Sequence, residues 1–171
     1  MSFLESIPAG RPGTSRTIGR MRELATRDAR NWRFIRIATR IIAGCPHKSY
    51  LCHGKRILHF VKRYVQYVPD PATSVENGSQ IELVQAPFQT LRRRAGDCDD
   101  TSTLVAALAM AVGIPARFAT IKADKRRTDE FSHVYAELQV NNNWMGADAS
   151  VAKSYLGWQP PVHYGKETWR I

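Results

Sequence analysis

The 171-residue sequence predicts an α+β fold on three observations. Apolar residues recur at spacings of three and four over 17–43, 54–67 and 97–112, which is helical periodicity. Residues 131–140 instead alternate between apolar and polar, the period of a half-buried strand. Directly after them, Asn141-Asn142-Asn143 is a hairpin signal, because asparagine tolerates the positive φ that tight turns need. The length suits one core, and 43% hydrophobic residues with ordinary Gly and Pro counts exclude a collagenous or broadly disordered chain. No run approaches the roughly 20 apolar residues that span a bilayer. The opening Met1-Ser2-Phe3-Leu4-Glu5-Ser6-Ile7-Pro8 lacks the basic and apolar regions of a secretory signal, so secretion by a signal peptide is not expected.

Along the chain, residues 1–15 are rich in Gly, Pro and Ser and read as an extended arm. From about Thr17 to Ala43 a helix is marked by Ile18, Met21, Leu24, Ile35, Ala38 and Ile42, and Gly44 and Pro46 stop it. A second helix fits 54–67, with Ile57, Phe60, Val61, Tyr64 and Val65 on one side. Three prolines and Asn77-Gly78 make 69–90 a long loop. Asp97, with Asp100 three positions on, caps a third helix carrying Leu104, Val105, Leu108, Ala111 and Val112, which Gly113 and Pro115 end. A strand at 116–122, a charged loop at 122–130, the alternating strand at 131–140 and a strand from Trp144 to Ala149 follow. The tail from Ser150 carries Tyr155, Trp158, Tyr164 and Trp169 with neither helical nor strand period. These shifts divide the chain into a basic arm and helix (1–52), a working core (53–150) and an aromatic tail (151–171).

The net charge of +10 is unevenly placed. Residues 1–63 hold 14 Lys/Arg against Glu5, Glu23 and Asp28, whereas 64–171 are close to neutral. The expected use is contact with an anionic partner, a nucleic acid or an acidic protein surface, through Arg16, Arg20, Arg27, Arg30, Arg33, Arg36 and Arg40. Three cysteines, Cys45, Cys52 and Cys98, are too few for a disulfide scaffold, so a reducing setting with at least one free thiol is expected. The spacing of Cys45, His47, Cys52 and His53 matches no usual zinc site.

Cys98 falls in the first turn of the third helix, where unpaired N–H groups and the helix dipole favour an anion. An unassisted thiol is only a few per cent ionised at pH 7 and needs such help, or a base, to attack a carbonyl. His133, on the polar side of its strand, is the candidate base. If Asn141-Asn142 is a two-residue turn, facing positions sum to 283, which sets Tyr135 opposite Asp148 and His133 diagonal to it on one sheet face, roughly 7–8 Å away. Asp148 can then orient the imidazole. The bland alternative is that Cys98 is a small buried apolar residue and Asp97 and Asp100 are helix caps.

A helix-start cysteine, a strand histidine and an aspartate on the next strand form an ordered set that resembles the transglutaminase-like superfamily, a papain-like fold. Gly96-Asp97-Cys98-Asp99-Asp100, Val112-Gly113-Ile114-Pro115-Ala116-Arg117, Ser132-His133-Val134-Tyr135 and Trp144-Met145-Gly146-Ala147-Asp148 look like its motif blocks. Tyr67-Val68-Pro69-Asp70-Pro71 and Gln85-Ala86-Pro87 resemble the segment before the cysteine in short phage-encoded and bacterial members. The resemblance implies a Cys-bearing helix packed on an antiparallel sheet bearing the His and Asp, with a basic helical extension in front. It implies Cys98 as nucleophile, His133 as general base and acid and Asp148 as orienter, with the Cys98 N–H as one oxyanion donor and Gln85 or Gln89 as candidates for another. It also implies that Asp97 and Asp99 are candidate calcium ligands, although the thiol chemistry requires no cofactor. The expected function is a thiol hydrolase of peptide or amide bonds, cytoplasmic or virion-associated. Protein-glutamine acyl transfer and a non-catalytic tail or virion component are the alternatives.

Overall fold

From Leu104 onward helix α5 (Cys98–Ala111) is apolar on every side, and a helix without a polar face must be wrapped all round. Every residue from Asp99 to Ala109 is buried. The computed structural model, which describes residues 3–8, 10–69 and 79–171, shows what wraps it. Helices α1 (Arg11–Ala29), α2 (Trp32–Ile41), α3 (Tyr50–Tyr64) and α4 (Pro87–Arg93) surround one side, and a four-stranded antiparallel sheet takes the other. Among the described residues no helix is long and apolar enough to cross a membrane.

The sheet runs in the order β7 (Asn143–Ala147), β6 (His133–Val140), β5 (Ala116–Ile121), β8 (Lys166–Arg170). Val134, Ala136 and Leu138 of β6 join α5 in the main core, while Tyr135 packs with Ala119 and Ile121 on the opposite face. The alternation read from the sequence is therefore the true facing, but both faces are covered. Buried Glu137 is held there by Arg117 and Lys166, each at 2.6 Å. Asn141 and Asn142 sit at φ +50° and +65°, the two-residue turn in which Val140 faces Asn143 and Ala136 faces Ala147. Every facing pair sums to 283, as expected.

Several expectations are corrected. Residues 3–8 are not an extended arm but strand β1 (Phe3–Pro8), antiparallel to β3 (Ser79–Val84), and helix α1 begins at Arg11. The single helix expected over 17–43 breaks at Arg30, because Asn31 turns extended and its side chain caps α2 by accepting from Arg33 N at 2.9 Å. The second helix spans Tyr50–Tyr64, and Gln66–Tyr67 form the short β2, parallel to β4 (Ala95–Gly96). Of the loop expected over 69–90, residues 79–84 and 87–93 are β3 and α4, while Asn77-Gly78 lies outside the described residues. The aromatic tail supplies edge strand β8, with Trp169 donating to Thr120 at 3.0 Å, and Gln159 accepts from the Tyr135 hydroxyl at 2.9 Å. Ile18, Met21, Leu24 and Phe34 share one apolar cluster with Leu104 and Leu108 of α5.

Cys45 and Cys52 are joined, with Cα atoms 5.8 Å apart, which corrects the expectation of a reduced chain. The connection between α2 and α3 folds back through Gly44, at φ +88°, and so brings together two thiols seven residues apart. That pairing spends both sulfurs of the weak zinc pattern. Cys98 is the free cysteine.

Candidate active site

Asp97 caps α5 by accepting from Asp100 N, which aims the first helical turn, and with it Cys98, at the sheet. The helix is pinned in that direction by buried Ser102, whose hydroxyl lies 2.5 Å from the Cys98 carbonyl and 3.2 Å from that of Val134 on β6. Ser102 thus ties the cysteine's own backbone to the residue next to His133. Sequence reading passed over it, because Ser102 sits in the polar run Asp99-Asp100-Thr101-Ser102-Thr103, which reads as the capping end of the helix.

Across the sheet, His133 Nε2 lies 2.8 Å from Asp148 Oδ2. The diagonal placement derived from the two-asparagine turn brings these side chains together as expected. Asp148 is fully buried just beyond the end of β7, and its other oxygen accepts from Ser150 N at 3.0 Å and from the Ser150 hydroxyl at 2.7 Å. The Ser154 hydroxyl donates to the Asp148 carbonyl. The Asp-x-Ser spacing is a recognisable local turn, a signal that could have picked out Ser150. With Nε2 committed to Asp148, Nδ1 is the ring nitrogen left for the Cys98 thiol, which lines the same cavity as His133.

The electrostatics follow from this chain of contacts. Burial works against a charged imidazole, but the hydrogen bonds with Asp148 and Cys98 and their negative charges outweigh it, pushing His133 up to about 10. Burial would raise Asp148, yet the His133 bond and the two from Ser150 prevail and hold it below the usual carboxylate range. Asp99 goes the other way. Burial first, then the neighbouring Asp97 carboxylate and the charges of Asp100 and Cys98, push its carboxyl well up. Tyr67 beside the helix start is raised to about 12, by burial first and then by Cys98, Asp97, Asp148 and Asp99.

Cys98 and His133 open onto a half-open cavity of about 290 Å³. Its far wall is Ile7, Pro8, Thr14, Thr17, Ile18 and Met21, so β1 and α1 build one side of the cleft. The 127–132 segment builds the other, with Arg127 paired to Glu130 at 3.1 Å. Nothing in the sequence pointed to the N-terminal wall, because that contact is made across more than eighty residues.

The two glutamines do not meet the cleft as expected. Buried Gln85 gives its amide hydrogens to Asp100 Oδ2 and to the Ala95 carbonyl, and its backbone N–H donates to Asp100 Oδ1 at 2.7 Å. The side chain is a brace between α4 and α5 and has no hydrogen left for an oxyanion. A Cβ on Gly96 would lie 2.7 Å from that of Asp100, so this brace also requires the glycine. Gln89 is half-buried on α4 and does not line the cavity. Oxygens of Asp97, Asp99 and Asp100 lie within 4.8 Å of one another, and Asp99 Oδ2 is buried without a partner. Of the arginines expected to meet an anionic partner, Arg20 pairs with Glu23 and Arg27 with Asp28 on α1, whereas Arg33, Arg36 and Arg40 project from α2.

The comparisons agree on the architecture. A family model described as the transglutaminase-like superfamily matches residues 35–149. A structure of a "putative cysteine protease" from Cytophaga hutchinsonii superposes with a TM-score of 0.56 at 21% identity, covering 97% of this chain and 54% of its own. A "putative protease" from Parabacteroides distasonis gives 0.55 at 14% identity, over 76% of this chain and 26% of its own. The chain thus spans about half the length of the first structure and about a quarter of the second. Among curated proteins none matches the sequence.

Proposed function

Because the chain belongs to the transglutaminase-like superfamily, we propose that it is a thiol hydrolase that cleaves peptide or amide bonds through a Cys98 acyl-enzyme. The observation that carries this reading is the 2.8 Å contact of His133 Nε2 with Asp148, on an imidazole that shares its cavity with a free cysteine. In this mechanism the Cys98 thiolate attacks the substrate carbonyl, and the C=O electrons move to oxygen. The Cys98 backbone N–H, an orphan donor of the first helical turn, stabilises that oxygen. The tetrahedral intermediate collapses to a thioester as the His133 imidazolium gives its proton to the departing amine. The neutral imidazole then takes a proton from water, whose oxygen attacks the thioester, releasing the acid and restoring the Cys98 thiolate beside the imidazolium. Asp148, fixed by Ser150, holds the ring throughout.

An activated ester such as p-nitrophenyl acetate tests this directly. Wild-type protein should release a burst of nitrophenol and carry one acetyl group on Cys98, and Cys98→Ala should abolish both. Absence of a Cys98 adduct would remove the enzyme reading and leave a non-catalytic member of the superfamily. Diversion of the acyl group to added amine in preference to water would instead identify an acyltransferase.

The acids around Cys98 fit a calcium ion, since Asp99 Oδ2 is a buried oxygen without a partner beside two further carboxylates. Asp97 and Asp99 would hold it, and it would neutralise charge that otherwise opposes the thiolate. Millimolar calcium should then raise the melting temperature of wild-type protein, with EDTA reversing the rise and Asp99→Asn removing it. Equal melting curves with calcium and with EDTA would leave Asp97 as a helix cap only.

A further inference from the structure

Between Asp28 and Asp70 the sequence contains no acidic residue, a span that includes all of α2 and α3. Cations on a protein surface are ordinarily interspersed with acids, which keeps single-sign fields small. Here they form rows. Arg33, Arg36 and Arg40 on α2 and Arg56, His59 and Arg63 on α3 share the spacing i, i+3, i+7, one side chain per turn along each helix. All six are exposed, and among the described residues none of the five arginines is in an ion pair, in contrast to Arg20 and Arg27 on α1.

The α3 row borders a groove of about 800 Å³ that reaches Ile41 at the end of α2, with Lys55, Arg56, His59 and Arg63 around Phe60 and Tyr64. Phe60 stacks on Tyr64 with ring centroids 5.0 Å apart and planes 17° from parallel, and the Arg94 guanidinium lies 4.6 Å over Tyr64. At the start of α2, Trp32 is 59% exposed and carries Arg33 and Arg36 at 5.3 and 5.6 Å from its ring. Cations alone would suit an acidic protein. Exposed Trp32 between guanidinium groups, with the half-buried rings of Phe60 and Tyr64 lining the groove, adds an aromatic surface for unstacked bases, and bases beside phosphates are what a single strand offers and a duplex hides.

We propose that the α2–α3 face binds single-stranded nucleic acid, with phosphates on the Arg56–Arg63 row and bases against the aromatic groove. This is independent of the hydrolase reading, since Cys98 and His133 line a different cavity.

Fluorescence anisotropy with labelled oligothymidylate and oligouridylate of ~16 nucleotides tests it on the full chain. Binding should be micromolar at ~50 mM salt and fall steeply as salt rises. Arg56→Glu with Arg63→Glu should weaken it by ~10-fold or more, and Arg56→Gln with Arg63→Gln, which adds no like charge, by ~3-fold or more. Lys125→Glu with Arg126→Glu makes the same change in net charge on the 122–132 loop and should have little effect. An unchanged rate of Cys98 alkylation certifies that each variant is folded. A preference for either strand supports the proposal and assigns DNA or RNA. Three results would overturn it: equal loss with the loop variant, duplex bound as tightly as the single strand, or polyglutamate bound as tightly as the oligonucleotides. The last of these would assign the face to an acidic protein.

Discussion

His133→Ala should slow alkylation of Cys98 by iodoacetamide at pH 7 by about 10–100-fold and reduce acyl-enzyme turnover by about 10²–10⁴-fold. Cys98 sits among Asp97, Asp99 and Asp100, three carboxyl groups that oppose a neighbouring thiolate. Against them stand the dipole of α5 and the imidazolium of His133, which Asp148 and Cys98 together hold in its charged form to about 10. Deleting the imidazole removes the positive charge that shares the cavity with the thiol and leaves the acids in place. Cys45 and Cys52 are joined, so alkylation under non-reducing conditions reports on Cys98 alone, with a small-molecule thiol as reference. A wild-type rate no faster than that reference, or a His133→Ala rate equal to wild type, would sink the ion-pair account. The two readouts also separate roles. Alkylation needs only a thiolate, whereas turnover needs a proton carried to the leaving group, so turnover should fall further than alkylation.

How much of this was legible in the sequence depended on how local the determinants were. The α5 cap and apolar run, the alternation of β6 and the two-asparagine turn each lie within about fifteen residues, and together they set the register that brings His133 to Asp148. Steric preference of asparagine for positive φ decides that register, and a slip of one residue would turn Asp148 to the other face. What stayed hidden was made by distant segments. Strand β1 pairs with β3 across some seventy-five residues, β8 adds to the sheet edge, and α1 walls the cleft. None of these leaves a periodic trace of its own, because a pairing partner is selected by the whole core. Gln85 shows the same limit at one side chain. Its type allowed an oxyanion donor, but the buried Asp100 carboxylate needed its hydrogens more, since an unpaired buried charge costs more than a lost surface bond. The disulfide is local in sequence, yet it depended on how sharply the chain turns at Gly44.

Asp148→Asn should return the His133 titration from about 10 toward the ordinary value near 6.5, as followed by NMR of the labelled imidazole. Asparagine keeps the shape and can still hydrogen-bond the ring, so the comparison isolates the charge. The same substitution should make stability depend on pH in a defined way. A histidine raised on folding contributes stability that is fully present below about 6.5 and lost as pH climbs through about 10. An aspartate lowered on folding contributes stability that is present above the ordinary carboxylate value of 3.8 and lost as pH falls below it. The two conditions overlap between about pH 4 and pH 10, and there the wild type should exceed Asp148→Asn in urea midpoint. The gap should close at both ends, on the acid side as Asp148 protonates and on the alkaline side as His133 loses its proton. Since Asp148 is fully buried and Ser150 supplies two hydrogen bonds to its free oxygen, Ser150→Ala should narrow the acid side of the window and leave the alkaline side near wild type. A gap between wild type and Asp148→Asn that stays constant from pH 4 to pH 10.5 would mean that the contact is held by shape alone, and the imidazole would then lack the charge that the proposed chemistry asks of it.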